Sequence, residues 1–219
     1  MSEFDRIFVV WRKGSSERRT AIGILCQKSM GVYEFKYNEE SKLLKEEGFT
    51  PYPEFQDLDK VYNGNVADIF GQRLTKNHRP DVDSLYDFWE IDREFKDNKF
   101  YLLGKTQGLL ATDNFEFLAD YKLIPNLHFL TEIAGLSHSK IQSGLVRIGD
   151  KLTYALEPSN PKDKWAVKVF KDELELGYIK KYHSKVFFDA KEVDKDLKLE
   201  VKAIEQNGIV KRVFVRVSV

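Results

Sequence analysis

Leu156 to Lys181, LEPSNPKDKWAVKVFKDELELGYIKK, decides how this chain is read. Asn160 to Asp163 spell an Asn-Pro-x-Asp turn, in which proline fixes φ and the Asn and Asp side chains bond nearby backbone amides. Ala166, Val167, Val169 and Phe170 then give an apolar strand, Lys171 to Glu173 a charged tight turn, and a second strand ends in Gly177-Tyr178-Ile179-Lys180-Lys181. Two strands joined by a turn, with a rigid polar loop before and paired lysines after, form one wall of a small binding barrel rather than a catalytic centre.

Working outward, Leu127 to Gly135, Lys151 to Glu157, Leu197 to Glu205 and Val210 to Val219 also read as strands. Gln206-Asn207-Gly208 joins the last two as a hairpin, because Asn-Gly tolerates positive φ. Tyr182 to Asp189 reads as a helix with Val186 and Phe187 facing inward. Six strands and one helix give an OB-like six-stranded β-barrel over 125–219.

The first half, 1–122, reads as a separate module, a small sheet with helices, so the chain as a whole is α+β and mostly β. Strands are expected at 6–12, 19–27 and 31–37, with a turn at Gly14 to Glu17. Glu39 to Glu47 is helix-compatible and Gly48 can end it; Val66 to Arg73 repeats apolar residues at helical spacing. Pro80 and Asp81 open another helix, whose apolar face is Ser84 to Trp89, while Lys99 to Lys105 fits a short helix or strand. The polar, proline-containing Asp120 to Asn126 is the expected linker.

Net charge is zero overall, yet residues 1–124 carry 18 Lys+Arg against 22 Asp+Glu and residues 125–219 carry 17 against 13. A surplus of four positive charges on the second half is compatible with phosphate binding. The single cysteine, Cys26, excludes an internal disulfide framework and reads as a buried small hydrophobe. No secretory signal and no apolar run near the roughly 20 residues of a membrane span is present, which points to a cytoplasmic setting and no membrane partner. Nucleophile-elbow, Walker, dinucleotide-binding and His-Glu-x-x-His motifs are missing from the sequence, so the expectation is a noncatalytic protein with no metal and no cofactor.

The 156–181 stretch resembles the HIRAN domain through Leu156, Pro158, Asn160, Pro161, Asp163, Ala166, Val167, Val169, Leu176, Gly177, Tyr178 and Ile179. The resemblance covers Pro125 to Val219 and implies an OB-like barrel that, in some members, holds the 3′ end of single-stranded DNA. Members that bind DNA commonly place an aromatic residue at the x of Asn-Pro-x-Asp; here it is Lys162, which reaches phosphate but offers no stacking face. Trp165 is the substitute platform, Lys180 and Lys181 match phosphate-neutralising lysines, and Tyr178 and Tyr182 bracket that pair as stacking rings. With Lys162 and Asp163 these residues make the expected nucleic-acid site.

The first half is distantly similar to the N-terminal subdomain of HipA-type toxin kinases. The similarity runs through Val9-Val10-Trp11-Arg12, Gly31 to Tyr37, Arg79-Pro80-Asp81 and the segment from Ala111 to Glu116. The function expected from the whole chain is binding of single-stranded DNA or DNA ends, in bacterial DNA repair, processing or phage defence. The rival is a regulatory subunit that meets a protein partner, a toxin kinase or nuclease, through the aromatic loop Phe49 to Phe55.

Overall fold

The computed structural model describes residues 2–14, 17–75, 80–110 and 112–219, without the side chains of Ser137 and His138. Ser15 and Ser16 of the expected first turn, and Arg79 and Ala111 of the N-terminal similarity, lie outside the described residues. Residues 2–120 and 121–219 form two compact units.

In the first unit, alternating apolar residues make three antiparallel strands, β1 (Arg6–Trp11), β2 (Thr20–Ser29) and β3 (Val32–Tyr37). Then follows α1 (Glu39–Leu43), where the Asn38 side chain accepts from the Ser41 N–H. A 3-10 turn continues it to Gly48, whose φ of 95° ends the helix. The later elements are β4 (Val61–Gly64), α2 (Val66–Phe70), α3 (Val82–Phe88), α4 (Lys99–Thr106) and β5 (Phe115–Ala119). The sheet order is β4-β3-β2-β1-β5. Two of these strands, β4 and β5, are not expected from sequence. β5 escapes because it is buried on both faces: Phe117 lies in the core, and Glu116 is buried between Arg12 (3.3 Å) and Arg19 (2.9 Å).

The loop Phe49 to Phe55 is a core element, which corrects the expectation of a partner-facing surface. Phe49, Tyr52 and Phe55 are buried. Phe55 lies 5.3 Å from Phe35 and 4.8 Å from Phe70, and the Tyr37 hydroxyl accepts the Tyr52 N–H at 2.9 Å. Pairs of rings at these separations contribute about 0.5–1.5 kcal/mol beyond simple burial. Cys26 is half-buried rather than core, because it falls on the outward phase of β2, next to buried Leu25.

The second unit is a closed antiparallel barrel of β6 (His128–Ala134), β7 (Lys151–Glu157), β8 (Ala166–Lys171), β9 (Leu174–Ile179), β10 (Lys198–Asn207) and β11 (Ile209–Ser218). Around the barrel the order is β10-β11-β6-β9-β8-β7. These are the six strands expected from sequence. A short helix, α5 (Leu136–Ser139), follows β6. The expected helix after β9 is two pieces, a 3-10 turn at Lys181–His183 and α6 (Lys185–Glu192). Val186, Phe187 and Ala190 of α6 are buried, with Phe187 set 5.0 Å from Tyr154.

Closure is uneven. β6 meets β9 over two residue pairs, Ile133↔Ile179 and Ala134↔Tyr178, and β7 meets β10 over two, Leu199↔Leu152 and Glu200↔Lys151. The motif glycine belongs to the first of these seams. Gly177 has φ 143°, and a Cβ there would stand 2.3 Å from the Ala134 carbonyl oxygen, so only glycine lets the strands touch. Tyr121, in the expected linker, is packed: it is buried and stacks on Phe129 at 3.9 Å within its own unit.

Candidate nucleic-acid interface

The Asn-Pro-x-Asp turn is built by its own side chains. Asn160 Oδ1 accepts the Lys162 N–H at 3.0 Å, and Asp163 Oδ1 accepts the Trp165 N–H at 3.0 Å. Two further bonds, from Asn160 N–H to the Glu157 carbonyl and from Ala166 N–H to the Asp163 carbonyl, each 3.0 Å, fold the loop onto the ends of β7 and β8. Asp163 is thereby occupied in shaping the loop.

Around this turn stand two clusters. In the first, the end of β7 brings Glu157 to the outward rung formed by Lys168 of β8 and Tyr178 of β9, which face one another in register. Glu157 Oε1 meets Lys168 Nζ at 2.8 Å, and its Oε2 accepts from Asn160 Nδ2 (3.0 Å) and the Tyr178 hydroxyl (3.1 Å). Lys168 lies over the Tyr178 ring at 5.5 Å and also within 3.4 Å of Glu175. The Lys168 ammonium, and after it Asn160, hold the Glu157 carboxyl below the usual range; the same bond raises Lys168.

The second cluster centres on Trp165, which is half-exposed. Phe188 of α6 meets it edge-on at 5.0 Å, and the ammonium groups of Lys164 and Lys185 approach its ring at 5.2 and 5.9 Å. Lys185 is held by both oxygens of Asp189 at 2.7 Å. Lys181 and Tyr182 form a pair of their own, the ammonium 5.7 Å from the ring centre.

Lys180 does not join them. Its side chain is 0% exposed and its Nζ is 3.2 Å from Glu132, whose other oxygen accepts from Arg212 Nε at 2.8 Å. The expectation of a phosphate-reaching Lys180 gives way to a structural part, an ion pair that bolts the end of β9 to β6 beside the narrow seam. The reason is local: the chain leaves β9 after Ile179 and turns into the 3-10 helix, so strand alternation no longer points residue 180 outward.

Ion pairing sorts the lysines further. Among the described residues, Lys162, Lys164 and Lys181 are exposed and have no ion-pair partner, whereas Lys168, Lys180 and Lys185 are neutralised by carboxylates. Sequence reasoning did not single out Glu157, Lys164, Lys168, Lys185 or Phe188. Lys185 and Asp189 carried a usable signal, their i,i+4 spacing on a helix; the Glu157 hub depends on strand register and had none.

Residues 127–206 match the HIRAN domain family model. The chain carries a HIRAN domain. The matched span runs from the residue before β6 through nearly all of β10 and contains both clusters. Its family supports nucleic-acid binding by this half of the chain. Among solved structures, a protein from Lactobacillus plantarum is similar at 18% identity with a TM-score of 0.35, over 43% of this chain and 96% of that one. The HIRAN domain of human HLTF is similar at 18% identity with a TM-score of 0.33, over 42% of this chain and 74% of that one. No curated protein matches the chain. These comparisons give no support to the HipA-type similarity of the first half.

Among the described residues no group of His, Cys, Asp or Glu is placed to hold a metal ion. No helix among them is long and apolar enough to cross a membrane.

Proposed function

We propose that this protein binds single-stranded DNA or DNA ends without catalysing a reaction on them, through the HIRAN barrel. The observation that carries this reading is the family match over residues 127–206. Exposure and ion pairing support a choice of contacts. Of the lysines in the Asn-Pro-x-Asp turn and the strands and motif that follow it, Lys162, Lys164 and Lys181 are the exposed ones that no carboxylate among the described residues neutralises, and these we assign to phosphates. Trp165, Tyr178 and Tyr182 are half-buried rings on the same barrel unit that can offer a face to a base. Asp163 shapes the loop and Lys180, buried, braces the barrel, so both are assigned structural parts.

Three exposed lysines make a weak site. Each neutralised phosphate on a single strand contributes about 0.7 to the slope of log K against log salt, so three give roughly 2. Affinity is expected at about 1–100 µM near physiological salt, the range of binding without base readout. DNA repair, end processing or phage defence is the setting in which such a module serves. The protein-partner alternative loses the surface assigned to it, since the aromatic residues of Phe49 to Phe55 are buried.

The test is a fluorescence-anisotropy titration of the whole chain against 3′-ended, 5′-ended and duplex DNA over a range of salt. Saturable binding of single strands with a slope of roughly 2 supports the reading. No binding to any single strand at low salt refutes it.

A further inference from the structure

We propose that Glu157 is a positioning residue: its carboxylate sets the geometry of the strand-binding face without touching the strand. This inference rests on the DNA-binding reading above and assigns a part to a residue that an electrostatic view of the site would count as harmful. A carboxylate on a phosphate-binding surface repels its ligand. Here that repulsion is offset, because Lys168 Nζ sits 2.8 Å from Oε1.

Three anchors meet at this one side chain. Through Asn160 it controls the turn: Nδ2 of Asn160 donates to Glu157 Oε2, which fixes the rotation of the amide, and the opposite amide atom, Oδ1, then accepts the Lys162 N–H. The direction in which Lys162 leaves the turn is thus set two bonds away from Glu157. Through the Tyr178 hydroxyl it tethers the one ring on β9 that faces outward, at 3.1 Å. Through Lys168 it holds an ammonium against that ring, 5.5 Å from its centre. Glu157, Lys168 and Tyr178 come from three successive strands, so the arrangement exists only when the barrel register is correct.

A face fixed in this way avoids the entropy of ordering a lysine and a ring when the strand arrives. Its loss is read as affinity and not only as stability.

The experiment uses the full chain and a labelled oligothymidylate of about 16 nucleotides, with anisotropy measured well below each variant's melting temperature. Glu157→Ala frees all three anchors and is expected to bind about tenfold more weakly. Glu157→Gln retains an oxygen that accepts from Asn160 and Tyr178, and is expected to recover to within about threefold of wild type. Tyr178→Phe keeps the ring, deletes its tether, and is expected to lose about threefold. Amide hydrogen exchange adds a readout independent of DNA: protection of the Lys162 N–H is lost in Glu157→Ala and kept in Glu157→Gln.

Wild-type affinity in Glu157→Ala overturns the proposal, as does a Glu157→Gln variant as weak as the alanine variant. If Glu157→Ala does not fold, Tyr178→Phe decides, and wild-type affinity there overturns it. A wild-type protein that binds no strand removes the DNA reading and this inference together. A wild type that binds alongside indifferent variants removes only the inference.

Discussion

Replacing Lys180 with alanine is the sharpest test of the way the two adjacent lysines divide their work. The Lys180 side chain is fully buried, and its Nζ is 3.2 Å from a Glu132 carboxylate that is itself 11% exposed. Removing one partner of a buried pair costs about 3–5 kcal/mol, because the other charge stays desolvated. Arg212 remains 2.8 Å from Glu132 and is partly exposed, which places the loss near the lower end, about 3 kcal/mol. For a unit of about 100 residues each kcal/mol moves the midpoint by about 4–8 °C, so the barrel transition should fall by about 12–24 °C. Lys181→Ala, one residue on, alters an exposed side chain and should move stability by no more than about 0.5 kcal/mol while weakening DNA binding and lowering the salt slope by about 0.7. Thermal melts followed by circular dichroism, paired with anisotropy at two salt concentrations, read both outcomes. A Lys180→Ala protein that melts like wild type but has lost affinity would refute the assignment of Lys180 to the interior.

Four other outcomes are expected. Trp165→Ala should leave the barrel folded, since the ring is half-exposed, and should cost about 1–3 kcal/mol of single-strand affinity by titration if a base stacks on it. Gly177→Ala should prevent or badly weaken folding by circular dichroism, because its Cβ would enter the Ala134 carbonyl at a φ that alanine avoids. The depressed Glu157 carboxyl contributes stability that is complete above the unfolded glutamate value of about 4.3 and is lost as pH falls through its lower folded value. Acid titration of the melting midpoint should therefore be flatter in Glu157→Gln than in wild type. Residues 121–219 should fold alone, whereas a fragment starting at 125 should be less stable by about 3–5 kcal/mol in denaturant melts, through loss of the Tyr121 ring stacked on Phe129.

The barrel was legible because its strands alternate: Val167 and Val169 go inward while Lys168 goes outward, and turn residues punctuate each run. The same rule misplaced Lys180, where the chain changes from strand to 3-10 turn within one residue and the period of two ends. β5 was hidden for the opposite reason, since Phe-Glu-Phe-Leu-Ala shows no polar face when a buried glutamate is neutralised by two arginines from elsewhere in the chain. Aromatic and proline content made Phe49 to Phe55 look like surface; what buries it is the convergence of Phe35, Phe70 and Tyr37, all distant in sequence. Within the candidate site, the turn could be read from Asn160 and Asp163, which act on their own neighbours. Glu157 could not, because its partners Lys168 and Tyr178 are brought to it only by pairing of β7, β8 and β9.

The uneven closure of the barrel has a consequence for how it is made. The β7-β8-β9 meander and the β10-β11 hairpin join strands that are neighbours along the chain, contacts that form quickly. β6 is different: five of its residues pair with β11, Phe129 with Val217 among them, across more than eighty residues of intervening chain. Ring closure is thus the slow, entropically costly event, and it waits for the last of the six barrel strands to be synthesised. That last strand lies beyond residue 206, where the family match ends. A chain stopped there would contain every residue of the candidate site and would lack the strand that lets β6 dock, so the nascent meander would emerge complete in sequence yet with no barrel to belong to.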